Sequence, residues 1–260
     1  MRQNCLLVLV LAAMGSAPAV AQEPSWADGS LEVSLFGARS TLVIFPGETP
    51  EGEATYPEEV SGSGNLYGLA LRYVPCGHGF GFGGGGDFAF GSNFGNDLDY
   101  SPKARAEMFM VRAFGDLTYS PFDATLDSPF SFDLRLVARV GLQLSAADAA
   151  RVSGSPRLQA VLVFVPRILA LELDGGPTWA VSTELKGSFK IGDAPPNLVK
   201  YGDRMGTGVD VRAALLGPEL GKSGVAPMIA VGWLRHPFPD KDGRNLAVAS
   251  EWALWAGLRL

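Results

Sequence analysis

The side chains equipped for proton transfer are few. The chain holds only two histidines, His78 and His236, so any histidine-dependent chemistry must use one of them. Acids at Asp97, Asp99, Asp240 and Asp242 stand in segments that loops could bring towards His236. A carboxylate facing an imidazole can orient water for general-base hydrolysis of a peptide bond. The plainer reading of the same acids is solvated loop charge, and it is preferred: no catalytic residue and no enzyme activity are expected. No G-x-S-x-G spelling supports a serine lipase either.

Two further groups invite a chemical reading. Cys76 and His78 could supply two metal ligands from one turn, but a zinc site takes three or four. Pro75-Cys76-Gly77-His78-Gly79 reads better as a tight turn, so no metal and no cofactor are expected. Gly81-Phe82-Gly83-Gly84-Gly85-Gly86 spells G-x-G-x-x-G, which in a nucleotide site opens a helix. Here Asp87-Phe88-Ala89-Phe90 continues in strand alternation, so the glycines read as a bend or lumen strand that lets backbones approach closely. The segment Pro46–Gly64 carries Glu48, Glu51, Glu53, Glu58 and Glu59 with no Lys or Arg. That is the composition of a solvated loop, and it would suit a cation or a basic partner.

The elements that must position these groups repeat with a period of two. Phe132, Leu134, Leu136, Ala138, Val140, Leu142 and Leu144 alternate with Asp133, Arg135, Arg139, Gly141 and Gln143, which predicts a strand over 131–145. Residues 177–191 alternate likewise, with Glu184, Lys186 and Lys190 on the polar row. The same count gives strands around 67–73, 109–119, 209–215 and 251–260. Apolar runs between turn residues add 31–45, 80–92, 157–173 and 225–236. The expected total is about ten strands, with 8 to 12 compatible.

The first 21 residues have another grammar. Arg2, the apolar run Leu6–Ala13 and Ala19-Val20-Ala21 read as a secretory signal removed before Gln22. This would leave one domain, residues 22–260, with Cys76 as its single cysteine and no internal disulfide. The apolar run is far short of the roughly 20 residues a membrane helix needs. Net charge is −6 and would become −7 without Arg2, so no nucleic-acid partner is expected. Gly 33 and Pro 18 argue against a helical bundle.

Alternation does not say whether the apolar rows face a core or lipid. Length and punctuation decide. Tilted strands of roughly 9 to 11 residues cross a bilayer, and the best strands here reach that length. Charges occupy mid-strand polar positions, while Tyr67, Tyr73, Tyr119, Trp179 and Phe189 lie near strand ends on apolar rows, as in an aromatic girdle. Expected connections near 46–64, 93–104, 146–156, 192–205 and 237–246 are longer on the whole than those near 75–79, 120–130, 174–176 and 217–224. Long loops at one end and short turns at the other mark a membrane barrel. A secreted soluble barrel or sandwich is the structural alternative.

On these features the chain resembles the small outer-membrane β-barrel proteins of Gram-negative bacteria, a superfamily that includes OmpA-like barrels. The resemblance covers most of residues 30–260 and rests on pattern and topology. It implies location in the outer membrane, contact with outer-membrane lipid and insertion by the barrel assembly machinery. Ser250–Leu260 matches the alternating last strand of that superfamily and departs from its usual aromatic end at Leu260. Asp97-Leu98-Asp99 also looks like the paired aspartates of omptins, ten-stranded outer-membrane proteases. Their aspartate two residues before the histidine has no counterpart in Leu234-Arg235-His236.

If the apolar rows face lipid, the polar rows line a lumen. The residues expected there are Arg72, Asp87, Arg112, Asp116, Asp133, Arg135, Arg139, Glu184, Lys186, Lys190, Asp210, Arg212, Glu251 and Arg259. Opposite charges in so narrow a space should pair, because an isolated buried charge costs several kcal/mol or more. The reading that follows is an all-β, single antiparallel transmembrane β-barrel with a largely plugged polar lumen and an envelope-structural or surface-interaction role. Its slight basic excess leaves a narrow, weakly anion-preferring small-solute channel as the second reading, and an omptin-like rim hydrolase as the third.

Overall fold

The computed structural model describes residues 29–44, 47–48, 55–56, 60–75, 78–95, 107–121, 129–145, 150–182, 187–189, 197–199, 205–220, 224–239 and 245–260. Ten of its strands close into a barrel. They are β1 (Ser30–Ile44), β2 (Val60–Val74), β3 (Gly79–Gly95), β4 (Glu107–Ser120), β5 (Ser131–Ser145), β6 (Ala150–Val165), β7 (Leu169–Ser182), β8 (Gly206–Leu216), β9 (Ala226–Pro239) and β10 (Asn245–Arg259). Each pairs antiparallel with its neighbours in sequence, and β1 closes the ring on β10. Closure leaves no strand edge unpaired. Backbone bonds between Leu31 and Leu260 carry the β1–β10 ladder to the last residue, at 3.0 and 2.8 Å. Two short hairpins, Gly47–Glu48 with Thr55–Tyr56 and Gly187–Phe189 with Asn197–Val199, lie outside the barrel sheet.

Alternation turns one row of every strand outwards and the other inwards. The outward row is apolar and bare: Leu35 is 68% exposed, Phe82 77% and Val140 64%. The inward row is polar and buried, with Glu172 at 1% and Arg259 at 3%. A water-soluble barrel would hide the leucines and expose the charges, so this inversion rules out the soluble alternative and requires a lipid surround. No helix among the described residues is long and apolar enough to cross a membrane; the crossing is made by strands.

The strand count agrees with the sequence pattern, but one hairpin lies elsewhere. Asp174-Gly175-Gly176 was the expected turn; the chain instead turns at Pro166-Arg167-Ile168, where Ile168 N donates to Val165 O at 3.1 Å. Pro166 supplies the fixed φ of a turn's second residue, and Arg167 takes a left-handed φ of 59°. The reason lies in the row that follows. Leu169, Leu171 and Leu173 face outwards while Ala170, Glu172 and Asp174 face inwards, so a turn at 174–176 would deprive the lumen of two carboxylates. Gly176 belongs to β7, where an added Cβ would come within 2.1 Å of Pro156 O on β6. The expected connection 146–156 also shrinks, because residues 150–156 join β6 and pair with β5.

Candidate functional site

Register sets opposite charges side by side before any side chain bends. Glu32 on β1 lies across from Arg259 on β10 and Arg72 on β2. Asp87 faces Arg112, Asp116 faces Arg139, and Asp174 faces Arg212. Longer contacts knit these rungs together. Arg259 binds Glu32 and also reaches Glu172 at 2.5 Å. Arg212 donates to Glu32 at 2.8 Å and to Glu172 at 3.0 Å. Arg72 donates to Glu172 at 3.0 Å and to Asp174 at 3.1 Å. In a ring of ten consecutive strands β2 and β7 are diametrically opposite, so the Arg72 side chain bridges the full width of the lumen.

The network continues towards β4, β5 and β6. Arg157 joins Asp174 at 2.7 Å to Asp210 at 2.6 Å. Arg139 grips Asp116 through two bonds of 2.7 and 2.8 Å and lies 3.5 Å from Asp174. Its guanidinium also stacks 4.1 Å from the Phe114 ring centroid, a favourable contact in a desolvated site. Every carboxylate here has an arginine partner, which is the condition under which buried charge is tolerable.

At the short-turn end Arg135 donates to Asp133 at 2.6 Å and to Pro75 O at 2.7 Å, and Ser120 Oγ donates to Asp133 at 2.9 Å. Pro75, just after β2, is tucked inwards against β3. Gly81 and Gly83 make room for it: an added Cβ would stand 2.9 Å from Pro75 Cβ at the first and 2.7 Å from Pro75 Cδ at the second. The glycine run is therefore a seat for a turn, as a nucleotide loop it lacks the helix. An apolar cluster of Val161, Val163, Ala170, Ala214, Leu216, Ala226, Met228 and Ala230, backed by Trp255, fills the opposite wall. A second cluster, including Phe36, Leu66, Ala89 and Met110, shares Trp255 from the other side.

Towards the long-loop end the packing opens. Arg112 joins Asp87 at 2.8 Å to Glu251 at 2.6 Å, with its guanidinium 5.0 Å from the Phe36 ring centroid. Beside it lies a cavity of about 170 Å³, with Gln143, Arg151, Ser153, Thr178 and His236 in its wall. His236, expected at an open rim, is 2% exposed and turned into the barrel. Gly206 and Gly208 on β8 accommodate its ring, since added Cβ atoms would come within 3.1 Å of Nε2 and 2.9 Å of Nδ1.

The structure thus places Arg72, Asp87, Arg112, Asp116, Asp133, Arg135, Arg139, Asp210, Arg212, Glu251 and Arg259 on inward rows. Glu184, Lys186, Lys190, Cys76, Asp97, Asp99, Asp240 and Asp242 lie outside the described residues. His78 is described and is exposed beside the short turn. Sequence reasoning missed Glu32, Arg151, Arg157, Glu172 and Asp174. A usable signal existed: Leu31, Val33 and Leu35 bracket Glu32 as Leu171 and Leu173 bracket Glu172. With these added, the described lumen holds eight arginines (72, 112, 135, 139, 151, 157, 212, 259) and eight carboxylates (32, 87, 116, 133, 172, 174, 210, 251). Among the described residues the two signs number eight each; the expected basic excess also counted Glu184, Lys186 and Lys190, which lie outside them. No cluster of three or more potential metal ligands occurs among the described residues.

No protein-family model and no curated protein matches the chain. Among solved structures, the outer membrane protease OmpT from Escherichia coli is similar at 10% identity and a TM-score of 0.43, over 93% of this chain and 99% of that one. Ail, the attachment invasion locus protein of Yersinia pestis, solved with the heparin analogue sucrose octasulfate, is similar at 13% identity and a TM-score of 0.29, over 90% of this chain and 99% of that one. A closed ten-strand barrel, apolar towards lipid and charged within, is the architecture of an outer-membrane β-barrel protein.

Proposed function

We propose that this protein is a closed barrel of the outer membrane with an envelope-structural or surface-interaction role. The observation that carries the reading is the Arg72 side chain, which runs from β2 to Glu172 and Asp174 on the opposite wall. A side chain held across the lumen by two carboxylates supports a closed state at that level. Ten strands enclose little more than side-chain space in any case, since wide aqueous channels appear near 16 strands. Insertion through the barrel assembly machinery goes with the superfamily resemblance and is supported by the outward row Trp252, Leu254, Ala256, Leu258 and Leu260 of the last strand.

Conductance of the refolded protein in a planar bilayer tests the closed state, with folding verified by the gel-mobility shift of an unboiled barrel. The expected result is silence from the folded protein and openings from an Arg72→Ala variant, which removes the side chain that crosses the lumen. Discrete openings from the unmodified barrel would overturn the reading in favour of a narrow small-solute channel, for which the cavity on the long-loop side is the favouring observation. An omptin-like hydrolase would require peptide cleavage that His236→Ala abolishes; the inward, buried imidazole argues against it.

A further inference from the structure

The cavity beside Arg112 differs in charge from the lumen as a whole. Four of the eight carboxylates border it, Glu32, Asp87, Asp210 and Glu251, and so do all the lumen arginines except Arg135 and Arg259. Among the described residues its wall therefore carries six arginines against four acids, an excess of 6 − 4 = 2 positive charges where the described lumen residues number eight of each sign. Asp116, Glu172 and Asp174, which neutralise several of those arginines, do not border the cavity. The ion pairs thus turn their positive ends towards it. Inside a barrel, where the effective dielectric is lower than in bulk water, that arrangement attracts an anion more strongly than the same charges would at a surface.

Arg112 supplies a specific handle. Its Nε and Nη1 bind Asp87 and Glu251, but Nη2 is buried and finds no hydrogen-bond partner among the described residues. An anionic oxygen reaching that nitrogen would give it a charge-assisted bond. The remaining wall is partly aromatic, with Phe114 and Trp255, and Gln143, Ser153 and Thr178 offer polar contacts. The volume of about 170 Å³ suits one small ring, since a cavity of about 150 Å³ accepts benzene.

From this convergence we infer that the cavity binds a small organic anion, a monocarboxylate with a compact apolar body of about benzoate's size. The carboxylate meets Arg112 Nη2 and the positive ends of the neighbouring ion pairs. The apolar body lies against Phe114 and Trp255. This site is independent of conduction: a barrel that conducts and one that does not could both hold the anion.

Calorimetric titration of the folded protein in detergent micelles with benzoate, benzamide and benzylammonium tests the inference. Saturable binding of one benzoate is expected, with benzamide at least about tenfold weaker and benzylammonium undetectable, as loss of one charge-assisted hydrogen bond predicts. Arg112→Lys keeps a cation but removes the second guanidinium nitrogen, and should weaken benzoate by about tenfold. Ala180→Leu fills the cavity without touching the ion pairs and should abolish binding. Absence of saturable benzoate binding to a barrel whose gel mobility shows it folded would overturn the inference. So would equal affinity for benzoate and benzamide, a comparison that needs no variant.

Discussion

The two levels of the lumen use the same residue types to different ends. Around Glu172 each carboxylate is shared: Arg72, Arg212 and Arg259 converge on it, and Asp174 takes Arg72, Arg139 and Arg157. Around Arg112 the ratio is reversed, with one guanidinium divided between Asp87 and Glu251 and a nitrogen left over. The first arrangement gives Glu172 and Asp174 three arginine partners each and spans the barrel, with Arg72 Nε left without a hydrogen-bond partner among the described residues, whereas in the second one arginine serves two acids. The difference teaches that one narrow barrel can hold both a layer in which arginines share a carboxylate and a layer in which carboxylates share an arginine.

The sharpest way to break the comparison is to remove its most shared member. Glu172→Ala leaves three arginines facing one another in a buried site, and stability should fall by about 3–5 kcal/mol. Urea unfolding followed by tryptophan fluorescence would measure the loss; a change below about 1 kcal/mol would mean that water, not Glu172, neutralises those arginines. Arg112→Ala is expected to cost less, about 1.5–3 kcal/mol, because Asp87 and Glu251 adjoin a cavity that can admit water once they lose their partner. If the two variants proved equal in the same unfolding assay, the division between a layer of shared carboxylates and a layer with a shared arginine would lose its energetic basis. The smallest effect lies outside both layers. Arg167 holds a left-handed backbone at the β6–β7 turn, a conformation that costs an L-residue roughly 1–2 kcal/mol. Arg167→Gly should therefore raise stability by up to about 1 kcal/mol, less whatever its Glu219 contact contributes, and leave conductance unchanged.

Much of this barrel was legible from alternation. Residues 131–145 gave both rows of β5 correctly, and the charges on the last strand's polar row face inwards as the period of two requires. The hairpin at 166–168 was not legible, because Asp174-Gly175-Gly176 carries stronger local turn chemistry than Pro166-Arg167-Ile168. What outweighs local preference there is long-range: Glu172 and Asp174 satisfy arginines on β2, β5, β6, β8 and β10 only if β7 begins at Leu169. Misplacing that turn concealed two of the most buried acids.

The sequence by itself determined the β period, a count of about ten strands and the polarity of the clearest rows, because these depend on which residue types recur at a spacing of two and on where turn residues interrupt apolar runs. The tertiary structure decided who meets whom. Arg72 and Glu172 are separated by 100 positions and share a salt bridge because ring closure sets β2 opposite β7, and no local pattern encodes a distance across a lumen. The cavity has the same origin. Its positive wall and the unused nitrogen of Arg112 arise from the way many strands place their inward side chains at one height, a sum over the whole barrel that no single strand contains.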